Sequence, residues 1–184
     1  MATQKAPRPS CKGEGFVSHV SCKIVGEVTI GQGTIIHPKV QILAEAGPII
    51  IGERNLIEDG AIIRNAVECK DGGSVPVMII GNLNVFEVHS VCEARKVGDN
   101  NILESKSYVG KDVVISNNCV ISAACKLQSE EVLPENTVVY GSDCARRISH
   151  GHQPQLLQLE HLSKLLPNYP DFMKKSKKKE LPAS

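Results

Sequence analysis

The chain has 184 residues and a mass of 19.9 kDa, the scale of one domain with extensions. Net charge is +1 at pH 7, so no global field draws it to nucleic acid or to an anionic membrane surface. Aromatics make up 3% of the residues and Trp is absent, which leaves Ile, Val and Leu to fill any core and favours strand-rich packing.

The first residues, Met1 to Ser10, are polar and contain Pro7 and Pro9. They lack the apolar stretch of a secretory leader, and no later run is long and apolar enough to span a bilayer, so a cytosolic setting and no direct membrane insertion are expected. The seven cysteines, Cys11, Cys22, Cys69, Cys92, Cys119, Cys125 and Cys144, are odd in number and include no CxxC pair. That pattern argues against a disulfide framework or a zinc knuckle and for reduced, buried thiols acting as small hydrophobes. Residues 1–15 read as a flexible lead-in.

From Ile24 onward the dominant signal is a period of six. Ile24, Ile30, Ile36 and Ile42 are followed, after a slip of three, by Ile51, Ile57 and Ile63. After a break come Ile80, Phe86 and Cys92, and a five-residue step leads to Val97, Leu103, Val109, Ile115, Ile121, Leu127, Leu133 and Val139. Six is a multiple of the strand period and not of the helical 3.6, yet one straight strand cannot hold a phase this long. Each repeat therefore supplies a short strand and a corner, three strands close a triangular coil, and residues eighteen apart stack. Val97, Ile115 and Leu133 form one expected inner column, and Leu103, Ile121 and Val139 another. Gly33, Gly60, Asn100, Asn118 and Asn136 fall three residues after the aliphatic, where a tight corner needs a left-handed backbone. Asn100, Asn118 and Asn136 should form a ladder along one corner. Cys119 and Cys125 should lie on different faces, too badly placed to bond.

The expected organisation is a β-helix over 16–145 with a loop insertion at 64–77, which contains Asp71, Gly72 and Gly73. The stretch PQLLQLEHLSKLLP puts Leu156, Leu159, Leu162 and Leu166 on one helical stripe, bounded by Pro154 and Pro167, and predicts a helix over 153–167. A basic tail, 168–184, follows and reads as a solvated end. Two surface features suit docking: the first coil around Ser18 to Ile30, with only a polar lead-in above it, and an apolar wall formed by Ile35, Val85 and Val114.

Hexapeptide β-helices include acyltransferases, zinc-dependent gamma-class carbonic anhydrases and non-catalytic scaffolds. A gamma-class zinc site needs three imidazoles, two of them close in sequence, with an open fourth position. The histidines are His19, His37, His89, His150, His152 and His161. No His-x4-His pair occurs; His150 and His152 are close but lie beyond the repeats. An acyltransferase needs a histidine base, for which only His37 and His89 lie within the repeats, and both read better as corner residues. No catalytic, cofactor-binding or metal residue is assigned, and no cofactor is expected.

Several segments go beyond the generic repeat: GEVTIGQGTIIHPKVQILAEAGPIIIGERNLIEDGAII, MIIGNLNVFEV, VGDNNILESKSYVG, VLPENTVVYGSDCARR and QPQLLQLEHLSKLLPNY. From about Ile24 to Tyr169 the chain resembles the small β-helical subunits of the dynactin pointed-end complex. That resemblance implies an all-β, left-handed parallel β-helix with a C-terminal α-helix, where periodicity alone leaves the hand open. It also implies a non-catalytic scaffold in the cytoplasm, associated with the cytoskeleton. The implied partners are the other β-helical pointed-end subunit, in a heterodimer, then the remaining pointed-end subunits and dynactin, in support of dynein-driven transport on microtubules and of cargo and adaptor binding.

Overall fold

In the computed structural model, which describes residues 10–66, 75–149 and 155–174, the repeats wind into a three-sided parallel β-helix. The expectations for residues 1–9, for the middle of the insertion at 67–74 and for the tail from 175 lie outside the described residues.

Three sheets form the walls. The first has seven strands, running from Ser10–Lys12 through Glu27–Ile30, Ile49–Ile51, Met78–Ile80, Lys96–Val97 and Val113–Ile115 to Glu131–Leu133. The third has six, from Lys23–Val25 to Lys126–Leu127. The second has nine and is closed at both ends by antiparallel strands described below. The expected inner columns are present: Val97 pairs with Ile115 and Ile115 with Leu133, while Leu103 pairs with Ile121 and Ile121 with Val139. All are buried, together with Ile30, Ile36, Ile42, Ile51, Ile57, Ile63, Ile80, Phe86 and Cys92. Each such side chain contributes roughly 1.5–3 kcal/mol on leaving water, and here stacked aliphatics replace the aromatic core most domains use.

The corners explain the remaining sequence pattern. Gly33, Gly60, Asn100, Asn118 and Asn136 all have positive φ, as expected. So do Lys39, Arg54, Leu83, His89, Lys106 and Ala124, which occupy the same position in other repeats. Side chains of that kind cost about 1–2 kcal/mol each in the left-handed region. The cost is met because the corner N–H continues the inter-coil ladder. The Arg54, Leu83, Asn100 and Asn118 amides donate to the carbonyls of Gln32, Glu53, Asn82 and Asp99 in the neighbouring coil. Two positions earlier in the turn, coils stack backbone on backbone: a Cβ on Gly81 would sit 2.6 Å from the Gly98 carbonyl oxygen.

Past Tyr140 the chain turns back. Ala145–Ile148 pairs antiparallel with Thr137–Tyr140 and closes one end of the second sheet. The helix, Leu156–Leu165, continues into a 3-10 turn at Leu166–Asn168 and ends in a strand, Phe172–Lys174. Leu159 and Leu166 pack on Val17, Ile35, Leu56 and Val85, with Leu162, Ile102 and Phe172 at the margin of the same cluster.

Two sequence expectations are corrected here. The wall expected from Ile35, Val85 and Val114 is not one surface. Ile35 and Val85 lie in the second sheet under the helix, while Val114 is half-exposed in the first sheet. The first coil does not have only a polar lead-in above it, because Phe172–Lys174 adds antiparallel to Val17–His19 and covers that edge. Both differences have one cause. A six-residue period specifies which residues face outward in a coil, but only the returning chain decides which outward face it covers.

Candidate functional site

Three polar assemblies are built on this frame. The largest is a buried amide column at the corner between the first and second sheets. It occupies the fourth residue after the inward aliphatic: Thr34, Asn55, Asn84, Asn101, Cys119 and Thr137, all buried. The Thr34 hydroxyl donates to the Gly52 carbonyl and accepts the Asn55 N–H. The Asn84 side-chain amide donates to Asn55 Oδ1 at 3.1 Å and to the Gly98 carbonyl at 2.9 Å. Its oxygen accepts the Asn101 backbone and side-chain N–H groups at 2.9 and 3.0 Å. Asn101 Oδ1 in turn accepts the Cys119 N–H. Of the expected ladder of Asn100, Asn118 and Asn136, the first step lies outside this column: the Asn100 side-chain amide donates to Asn118 Oδ1 at 2.8 Å. Further out still, Asn82, Asp99, Asn117 and Glu135 cap successive corners from the solvent side. The buried column was not anticipated, although the recurrence of Asn at that offset after Ile51, Ile80 and Val97 is visible in the sequence.

The second assembly ties down the start of the insertion. Glu93, 5% exposed, accepts Arg64 through Nε at 2.7 Å and also through Nη2, while the Tyr108 hydroxyl donates to its other oxygen at 2.8 Å. The Glu93 hydrogen bond holds the Arg64 guanidinium above its ordinary pKa, and burial, then the same carboxylate, push the Tyr108 phenol up. Next to it, the Asn65 amide donates to the carbonyls of Gly47, Pro48 and Pro76, pinning the two feet of the insertion to one another. A cleft of about 340 Å³ beside Glu93 is lined by Ala66, Tyr108, Lys111, Asp112 and Gln128.

The third assembly gathers the histidines that an enzyme would use. His37 Nδ1 lies 3.2 Å from Asp59 Oδ2, the pairing by which a carboxylate orients a catalytic imidazole. The other nitrogen, Nε2, is buried and has no hydrogen-bond partner among the described residues. Phe172 packs edge-on to His37 and His19, with centroids 6.4 and 4.9 Å apart. Glu58 and Glu87 stand near the same corner, and burial, then Glu87, hold the Glu58 carboxyl above its usual range. His89 is exposed at a left-handed corner against Gly60, and His161 is exposed on the helix. His150 and His152 lie outside the described residues. The structure thus brings His19 and His37 together and leaves the other described histidines apart. Among the described residues, no group of three or more His, Cys, Asp or Glu is placed to hold a metal ion.

Among the described residues, Cys22, Cys92, Cys119 and Cys125 are packing groups. Burial pushes Cys92 up to about 12 and Cys22 and Cys125 up to about 11, far from a reactive thiolate. Cys119 belongs to the amide column, whereas the Cys125 sulfur points to the Gly141 carbonyl, 3.4 Å away, at a different corner. Cys144, half-buried, borders a cleft of about 630 Å³ with Lys126, Gln128, Glu131, Asp143 and Arg146.

Comparison with known proteins separates the readings. No family model matches the chain. Dynactin subunit 6 of Nematostella vectensis is 52% identical over 180 residues, covering 95% of this chain and 97% of that protein. Dynactin subunit 6 of Xenopus tropicalis is 50% identical over 181 residues, covering 95% and 90%. A carbonic anhydrase of Methanosarcina thermophila is 30% identical over 113 residues, covering 53% of this chain and 45% of that one. Among solved structures, a hexapeptide transferase family protein from Anaplasma phagocytophilum superposes with a TM-score of 0.54 at 14% identity, over 84% of this chain and 87% of the other. That likeness shows the left-handed hexapeptide-repeat fold alone.

Proposed function

This chain belongs to the dynactin subunit 6 family, and on that premise we propose that it pairs one-to-one with the other β-helical subunit of the dynactin pointed end. Its role is that of a structural subunit of dynactin. The observation that carries this is near-complete coverage at about half identity, which takes in the corner residues, the returning helix and the final strand as well as the repeats. The enzyme relatives match only about half of the chain. In the pointed-end assembly the prism serves as a rigid wall, through which the cytoplasmic, cytoskeleton-associated complex engages adaptors and cargo for dynein-driven transport. Rigidity follows from the build: each coil is bonded to the next through three sheets and through the amide column, so the surface is held in fixed register.

The test is co-expression with the second β-helical dynactin subunit, followed by size-exclusion chromatography with light scattering on each chain and on the mixture. A stable one-to-one species is the expected result. A homotrimer that ignores the partner would move the assignment to the transferase class, whose active sites lie between protomers.

A further inference from the structure

At the end of the third sheet two cysteines converge from successive turns. Cys125 is buried just before the last strand of that sheet, Lys126–Leu127, and its thiol donates to the Gly141 carbonyl at 3.4 Å. The Cys144 N–H donates to the same carbonyl at 3.2 Å. The Cys144 sulfur accepts the Lys126 N–H at 3.3 Å and lies 3.7 Å from the Lys126 carbonyl oxygen. One coil earlier that ladder position is backbone on backbone, the Tyr108 N–H donating to the Cys125 carbonyl. At the last coil the sulfur takes the place of the carbonyl.

Cys144 also has a left-handed backbone, with φ of 52°. The other non-glycine residues of that kind donate their N–H to a neighbouring coil, whereas that of Cys144 stays within its own turn. What the strained conformation achieves is to set Sγ against the residue that follows Cys125. The two thiols are hydrogen-bonding neighbours: burial, then the bond to Cys144, push the Cys125 thiol up to about 11. Their access differs. Cys144 is half-buried on the rim of the 630 Å³ cleft, where a small oxidant reaches it, whereas Cys125 is closed off.

We propose that Cys125 and Cys144 form a reversible oxidation site, at which peroxide converts the two thiols to a disulfide that staples the closing strand Ala145–Ile148 to the end of the third sheet. The Cys144 thiolate attacks one peroxide oxygen and the O–O bond breaks, giving a sulfenic acid and, with a proton, water. The Cys125 sulfur then attacks the sulfenic sulfur. The S–S bond forms, the S–O bond breaks, and hydroxide leaves as water with the Cys125 proton. Two thiols lose two electrons and one peroxide becomes two waters. Cys125 keeps its proton until Cys144 has been oxidised, so it resolves the sulfenic acid and does not react first. In a reducing compartment the bond is transient, as in a redox sensor. The site stands apart from the pairing reading.

The experiment treats the full chain with hydrogen peroxide, blocks free thiols by alkylation and digests without reductant, beside Cys144→Ser and Cys125→Ala. The expected product joins tryptic peptides 112–126 and 127–146, with fragment spectra placing the link on Cys125 and not on Cys119. Oxidation should raise the melting temperature by about 5–10 °C, dithiothreitol should reverse the rise, and neither variant should show it. Cys144 passing to sulfinic acid without a link would overturn the site, as would a link through Cys119 or between two chains. A link that leaves the melt unchanged would overturn the staple. If Cys125→Ala does not fold, the link mapped in wild type and its absence in Cys144→Ser decide the same question.

Discussion

Replacing Asn84 by Ala tests whether the buried amide column holds the coils together. Asn84 is fully buried, and its side chain makes four hydrogen bonds, to Asn55, Gly98 and both N–H groups of Asn101. Truncation leaves Asn55 Oδ1 satisfied, because the backbone N–H of residue 84 still donates to it at 2.9 Å. The Asn101 backbone N–H, the Asn101 side-chain N–H and the Gly98 carbonyl lose these bonds in an interior of low polarity. An orphaned buried group costs about 1–3 kcal/mol. With two donors stranded, the loss is expected near 4 kcal/mol, or about 8–16 °C in melting temperature for a chain of this size. The control is Asn117→Ala, which removes the same side chain from the solvent-facing ladder, where Asn117 donates to Glu135 and caps the Asp99 N–H. Water replaces those bonds, so that loss should stay below about 1.5 kcal/mol. Urea unfolding followed by circular dichroism measures both. If the two variants melt within about 2 °C of each other, the buried column is not an energetic spine.

Four further outcomes follow from the same frame. Ile115→Asp places a carboxylate in an inner column at a site 1% exposed and should abolish soluble folded protein; a variant melting close to wild type would show that Ile115 does not face inward. Cys92, whose thiol burial raises to about 12, should resist alkylation until the chain unfolds, after half-buried Cys144 has reacted. Because the unfolded Cys92 thiol ionises near 9 while the folded one keeps its proton to about 12, this group should make stability fall as pH rises through that window; stability of wild type and Cys92→Ala declining in parallel there would contradict it. Purified protein should carry no stoichiometric zinc and turn over neither carbon dioxide nor acetyl-coenzyme A; zinc near one per chain by elemental analysis would reopen the enzyme reading.

Much of the architecture is written locally. The inward residue of each repeat, the stacking of Val97, Ile115 and Leu133, and the left-handed corners at Gly33, Gly60, Asn100, Asn118 and Asn136 are properties of single repeats that recur, so periodicity alone exposes them. The left-handed backbone at Leu83 or Ala124 carries no such mark, because ladder bonds to the adjacent coil, and not residue preference, hold it there. The column of Asn55, Asn84 and Asn101 had a trace in the sequence, but its burial depends on the coil above and the coil below. Glu93 likewise reads as an ordinary acidic residue until Arg64 and Tyr108 arrive from neighbouring coils to satisfy it. What tertiary structure alone decided is which walls remain bare. Leu159 and Leu166 announce an apolar stripe, but the stripe itself does not say which of the three walls it covers. The choice was made by the closing strand Phe172–Lys174, whose pairing with Val17–His19 draws the helix across Ile35, Leu56 and Val85 and leaves Ile50, Ile79 and Val132 in the open.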